Sequence, residues 1–309
     1  MEIKRVSLDE YEDFIPHHPH IYNSAAFARV NANKASSLHC LLFMDGSKAR
    51  MGIIMGERDA KLCSPFSAPF GGFSYHDNQR TEFVFEACSL LASYVGNTDL
   101  RAEITLPPEF YDKNMMTKQV AALATVGSIS ASCINAYFHT QRYGGYEQML
   151  THSAIKNLKR GMKAGFEFVA TTHDNLEIAK RAYDVIAANR AEHGYPLSMS
   201  WEDIMVTINV IDADFFLLTK DGEDVASAVV FHVADNIVQV IYWGDRSQWS
   251  HLRSMNILAH HIFEFYSNKG IDFVDVGPCA SDDGNINYGL TTFKETVGCM
   301  LTPRFSFQI

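Results

Sequence analysis

The chain has 309 residues, more than one compact domain usually holds, so two domains are expected. Hydrophobic residues make up 47 % and charged residues 20 %, enough to bury a full core, while a net charge of −10 argues against broad nucleic-acid binding and against DNA as a partner. No apolar run reaches the length of a membrane span, and the start M-E-I-K-R-V-S-L-D-E has no apolar signal core, which predicts a cytoplasmic protein. Cys40, Cys63, Cys88, Cys133, Cys279 and Cys299 are scattered without a C-x-x-C pair, and read as reduced thiols rather than a disulfide frame or a zinc site.

Residues 1–37 read as helix and loop. The H-H-P-H run at His17–His20 is interrupted by proline and has no acid partner near it, so it reads as structural or solvated rather than as a metal site. Strands are expected at Leu38–Met44, Ala49–Glu57 and Lys61–Phe66, the first two joined by the hairpin turn D-G-S-K. S-A-P-F-G-G-F-S, Ser67–Ser74, is too rich in glycine and proline to be regular. Apolar residues at helical spacing predict a helix over Thr81–Val95; strand Leu100–Leu106, helix Met116–Leu123 and strand Ala131–Thr140 complete a first half, 1–143.

The second half, 144–309, begins with a basic helix, A-I-K-N-L-K-R-G-M-K, in which Lys156, Arg160 and Lys163 share one face, stopped at Gly165. That face fits an anionic partner, a phosphate-bearing substrate or RNA; it also fits a solvated surface helix, the commoner use of such a pattern. Strand Phe166–Thr171, helix Asn175–Arg190 and a helix from Trp201 to Val210 follow, the last with Ser200 and Asp203 placed to form a capping box. The meander Phe215–Thr219, Ala226–Val233 and Ile237–Trp243 leads through a polar loop, Gly244–Arg253, to a helix over Met255–Asn268. His232 in the meander, and His260 and His261 on that helix, read as packed or surface residues rather than bases.

The last stretch, I-D-F-V-D-V-G-P-C-A-S-D-D-G-N-I-N-Y-G-L-T-T-F-K-E-T-V-G, is a short strand Ile271–Val276, a polar loop, a helix Leu290–Val297 and a stop at Gly298, followed by strand Met300–Gln308. Polar loops leaving the C-terminal end of a buried strand are where α/β proteins place ligands, and this loop is taken as the floor of the site. Asp275, Asn285 and Asn287 offer hydrogen bonds that could orient a substrate, although Asp275 equally suits capping the turn after its strand. Tyr242 and Trp243, with Asp245, end the preceding strand, where the two aromatics are candidates to bind substrate, although a core role for them is the plainer reading. Cys279 has no histidine partner in the sequence and reads as a bystander thiol.

The element order of each half resembles the GNAT acyltransferase fold. The pattern D-V-G at Asp275–Gly277 with N-I-N-Y-G-L-T-T-F-K-E-T-V-G at Asn285–Gly298 resembles the closing motif of the FemAB-type branch of that superfamily. The basic helix and the proline–glycine loop are similar to features of the same branch. The resemblance spans most of the chain, with its specific part at the C-terminal end. It implies an α/β (α+β) architecture of two tandem GNAT-like domains, each a mixed, mostly antiparallel sheet flanked by helices. It also implies an N-acyltransferase that moves an acetyl or aminoacyl group to an amine of a small molecule, peptide or cell-envelope precursor; the alternative is a catalytically idle relative that binds a ligand or partner.

The resemblance puts Lys294 beside the reacting acyl group, to stabilise an oxyanion or bind a donor phosphate, with Phe293 as a wall of the pocket and Tyr288 as acid for the leaving group. A water-facing lysine beside a core phenylalanine, and a packed tyrosine, stand as even alternatives. No tightly bound cofactor and no metal is expected; acyl-CoA is a co-substrate candidate, with aminoacyl-tRNA the other donor. The loop G-D-R-S-Q-W-S-H-L-R-S-M lacks the glycine pair with which GNAT enzymes cradle a pyrophosphate, and no coiled-coil arm is inserted.

Overall fold

Turn chemistry sets the strand pairings. In the computed structural model, which describes residues 1–281 and 284–309, D-G-S-K closes a hairpin with Asp45 opposite Lys48, and K-D-G-E closes another with Lys220 opposite Glu223. Asp221 and Gly222 both take positive φ in the second, as a two-residue turn that matches the twist of its strands requires. The chain divides into two units, Met1–Cys133 with Thr302–Ile309, and Ile134–Leu301. Each is a mixed, mostly antiparallel sheet with helices.

The first unit holds β1 (Glu2–Val6), α1 (Leu8–Phe14), α2 (Ala25–Val30), β2 (Leu38–Asp45), β3 (Lys48–Arg58), β4 (Lys61–Ser64), α3 (Thr81–Gly96), β5 (Arg101–Thr105), α4 (Lys113–Val126) and the start of β6 (Ser128–His139). The end of β12 (Met300–Gln308) returns to it, pairing Ser306–Gln308 with Glu103–Thr105. That pairing carries the last residues of the chain into the first unit, so the division is not the single cut after residue 143 expected from element order. The strand order is β1-β2-β3-β4-β5-β12. Alternate residues of β2 feed two cores: Leu41 and Phe43 join a cluster with Val84, Leu91, Met115 and Leu123 of α3 and α4, while Cys40, Leu42 and Met44 join Tyr11 and Ala28 of α1 and α2. Both faces are covered, which is why β2 reads as an unbroken apolar run.

β1 corrects the expectation of helix and loop over residues 1–37. It is a five-residue edge strand paired with Cys40–Met44, and its charged residues Glu2, Lys4 and Arg5 keep the apolar alternation short. In the H-H-P-H run, His20 is packed against Phe70 with Nε2 3.2 Å from the Gly71 carbonyl, and burial drives its imidazole down to about 3.

The second unit holds the rest of β6, α5 (Tyr146–Met149), α6 (His152–Met162), β7 (Glu167–Thr172), α7 (Leu176–His193), α8 (Trp201–Thr207), β8 (Ala213–Lys220), β9 (Glu223–Ala234), β10 (Ile237–Asp245), α9 (Ser254–Asn268), β11 (Phe273–Pro278) and α10 (Tyr288–Thr296). Its order is β6-β11-β10-β9-β8-β7, with β10 and β11 parallel. The Ser200–Asp203 capping box is present at α8. Phe216, Leu218 and Val230 pack with Leu258, Ile262 and Phe263 of α9, while Ser227 Oγ donates to the Ala182 carbonyl of α7 on the other face at 2.6 Å.

Asp214 sits buried at one end of this sheet and accepts from His232 Nε2 at 2.7 Å and from the Tyr266 hydroxyl at 2.8 Å. Burial pushes its carboxyl upward; the bonds from His232 and Tyr266, with the charges of His232 and Lys269, outweigh that and hold it below the usual carboxylate range. A depressed folded-state value gives stability that is present above the unfolded value and lost as pH falls through the folded one. The stability gap between the wild type and Asp214→Asn, read by urea unfolding, therefore narrows as pH is taken below about 4. A gap unchanged down to acid unfolding removes the ion-paired carboxylate from the account.

Candidate active site

β10 and β11 start as a parallel pair and separate. Their register runs over Ile237–Phe273, Val238–Val274 and Gln239–Asp275, after which β10 continues to Asp245 paired with β9 and shifted by a bulge between Val240 and Tyr242. β11 shifts against β6 between Asp275 and Gly277, where Gly277 takes φ +79°. The two irregularities flank the last shared pair and open a wedge between the strand ends.

The point of separation is tied by a buried carboxylate. Asp275 is fully buried; its Oδ1 accepts from Asn135 Nδ2 at 2.8 Å and from the Gly277 N–H at 2.9 Å, and its Oδ2 from Gln239 Nε2 at 2.8 Å. The Gly277 bond is the turn cap that D-V-G suggested; the bonds from β6 and β10 are additional. Asp275 is thus buried and spends these acceptors on the protein.

Lys294 lies on the inner face of α10 and is 2 % exposed. Its ammonium donates to the carbonyls of Val276, Gly277 and Pro278 at 2.9, 3.0 and 2.7 Å. The lysine therefore does not face water: it grips the three carbonyls at the diverging end of β11. Its neighbour Phe293 turns the other way and meets Trp243 edge-on, ring centroids 5.6 Å apart.

Beside that aromatic pair is a cleft of about 320 Å³ lined by Trp243, Phe293, Leu290, Met255, Asn189 and Arg253, with His193, Asp245 and Asn256 also on it. Gly244 lets α7 approach: a Cβ there would stand 2.6 Å from Asn189 Oδ1, and Asn189 Nδ2 donates to the Asp245 carbonyl at 2.7 Å. Asp245 accepts a very short hydrogen bond from Ser254 at the start of α9, and burial raises its carboxyl. Arg253, in the left-handed region at the N-cap of α9, is exposed at the rim. The lining offers an apolar wall for an acyl chain or ring, amides for hydrogen bonding and a cation for an anionic donor group. Gly244→Ala, by forcing Asn189 aside, is expected to cost about 1–3 kcal/mol in urea unfolding and to weaken ligand binding here. An alanine variant with parent stability would mean the approach of α7 is not tight.

The structure brings Trp243, Asp245 and Phe293 together and leaves other expected residues elsewhere. Tyr242 points to the opposite side of β10, its hydroxyl accepting from the Met199 N–H at 3.1 Å, because neighbours on a strand alternate. Asn287 caps α10 by accepting from the Leu290 N–H at 2.9 Å. Asn285 is exposed in the loop, and Tyr288 is 74 % exposed on the first turn of α10. Asp282 and Asp283 lie outside the described residues. Lys156, Arg160 and Lys163 are all exposed on or beside α6, and Lys163 is its C-cap. Asn189, His193, Arg253 and Asn256 were not anticipated; Asn189 and His193, four apart near the end of α7, were the one local signal.

No protein-family model matches the chain, and no curated protein matches it in sequence. Solved structures do resemble it. FemX covers 100 % of this chain with 97 % of its own length, TM-score 0.69, at 10 % identity. The C-terminal domain of a candidate lysylphosphatidylglycerol synthetase from Agrobacterium fabrum covers 97 % with 91 % of its own, TM-score 0.64, at 14 % identity. A tandem GNAT protein from the clavulanic acid biosynthesis pathway covers 100 % with 98 %, TM-score 0.50, at 11 % identity. The chain has the fold of these proteins, like that of FemX and of the tandem GNAT protein.

Proposed function

We propose that the chain is an N-acyltransferase that moves an acetyl or aminoacyl group to an amine of a small molecule, peptide or cell-envelope precursor. The observation that carries this reading is the wedge between β10 and β11 with a cleft of about 320 Å³ beside it. Strand ends that part leave backbone N–H groups free to polarise a donor carbonyl without side-chain reorganisation. Trp243 and Phe293 would wall the acyl portion, and Arg253 would meet a donor phosphate at the rim. Tyr288 would protonate the leaving group from the first turn of α10. Lys294 would act as a positioning residue, holding the carbonyls of β11 so that the wedge keeps its width.

Coenzyme A and acetyl-coenzyme A titrated calorimetrically into the full chain test the donor. Binding that weakens in Arg253→Ala and Phe293→Ala supports a thioester donor in this cleft; no heat for either ligand rejects it. Aminoacyl-tRNA is the second donor, favoured by the exposed basic face of Lys156, Arg160 and Lys163. Salt-sensitive tRNA binding abolished by glutamine at those three positions would select it. Failure of both donors returns the chain to the idle, ligand-binding alternative.

A further inference from the structure

We propose that His260, His261 and Glu264 on α9 form a binding site for one divalent cation of the zinc class, separate from the cleft. Their candidate ligand atoms all lie within 4.8 Å of one another, and all three residues are half-buried. Glu264 stands four residues after His260 and three after His261, so both imidazoles reach it along one side of the helix. A zinc ion with ligands at about 2.0–2.2 Å in tetrahedral geometry needs those atoms roughly 3.4 Å apart. His261 Nδ1 and Glu264 Oε2 already stand at 3.5 Å, and closing the rest takes side-chain rotation only.

The surroundings favour a built site over a chance cluster. The His261 ring stacks on Phe168 of β7, centroids 4.7 Å apart at 24°, which limits its rotation. The His260 ring lies 5.4 Å from that of Tyr146 and 5.7 Å from that of Tyr143. The Tyr143 hydroxyl is 3.3 Å from His260 Nδ1 and also meets Glu264, so a fourth donor, an oxygen, stands beside the three ligands. Two imidazoles with one carboxylate suit zinc, cobalt or nickel; magnesium and calcium prefer all-oxygen shells. None of these residues lines the cleft. Bound there, the ion would clip α9 to the segment carrying Tyr143, a structural role distinct from group transfer.

The test uses the full chain stripped with a chelator and titrated with zinc chloride, followed by calorimetry and thermal unfolding, with cobalt(II) as a spectroscopic probe. Expected are one bound equivalent, a raised Tm and a tetrahedral cobalt spectrum. Glu264→Gln and His261→Asn, both near-isosteric, should each weaken zinc at least about tenfold while leaving the far-ultraviolet spectrum unchanged. Three results overturn the proposal: no zinc uptake by the stripped wild type, magnesium bound as tightly as zinc, or zinc binding that survives both variants. Binding that survives them and is lost in His17→Ala/His76→Ala would assign the metal to the His17–His76 pair of the first unit, whose ring centroids are 4.7 Å apart, instead.

Discussion

Lys294→Met unfolds at lower urea than the wild type, with a loss of about 3 kcal/mol and an unchanged denaturant slope. The ammonium is a buried charge, and its desolvation alone costs several kcal/mol, so removing it has a favourable part. Against that stand three charge-assisted hydrogen bonds of 2.7–3.0 Å to Val276, Gly277 and Pro278, each worth about 1.5–3 kcal/mol. Methionine matches the volume but leaves those carbonyls buried without their donor, which is the costly half of a broken pair. Arginine does not rescue. Its planar fork cannot aim three donors at carbonyls clustered around one point, whereas an ammonium does so. If the methionine variant keeps wild-type stability, the grip on β11 contributes nothing net. If it keeps turnover as well, Lys294 has no place in the site at all.

The local motifs carried the reading of the C-terminal stretch a long way. D-V-G marked a strand end with its own cap, and the cap is the Gly277 N–H on Asp275. F-K marked two candidate site residues on a short helix; Phe293 meets Trp243 beside the cleft, while Lys294 is buried against the end of β11. Local patterns could not say where the lysine's ammonium ends, since its three acceptors come from the end of β11, sixteen to eighteen residues earlier. Nor could they pair Asp275 with Asn135, 140 residues away, or with Gln239, 36 away, because strand order is decided by burial across the whole sheet. Tyr242 and Trp243 are neighbours in a sequence that marks both as strand-end aromatics. Only the bulge after Val240 fixes which of them enters the cleft. β1 escaped notice for the opposite reason: an edge strand buries little, and so has little apolar pattern to show.

Asp275→Asn should be nearly as damaging as Lys294→Met although it changes no volume. The carboxylate receives three donors, from Asn135, Gln239 and Gly277, and nothing at those contacts accepts. An amide in its place has one acceptor oxygen, and with the amides of Asn135 and Gln239 held as they lie, its NH₂ faces a donor whichever way it is turned. One bond is lost and one N–H is pressed against another in a buried site, for a cost of about 2–4 kcal/mol in urea unfolding. Because these bonds tie β6, β10 and β11 where the wedge begins, ligand binding in the cleft should weaken in the same variant. Gln239→Glu supplies the complementary test. With the oxygen of the new amide kept toward Asn135 and the Gly277 N–H, the NH₂ can donate to a carboxylate at position 239. The double variant Asp275→Asn/Gln239→Glu should then recover stability over Asp275→Asn alone, with a coupling of about 1 kcal/mol or more. A purely steric role for Asp275 predicts no loss in the single variant. A generally polar role predicts no recovery in the double. Loss followed by recovery requires the donor and acceptor directions read from this network.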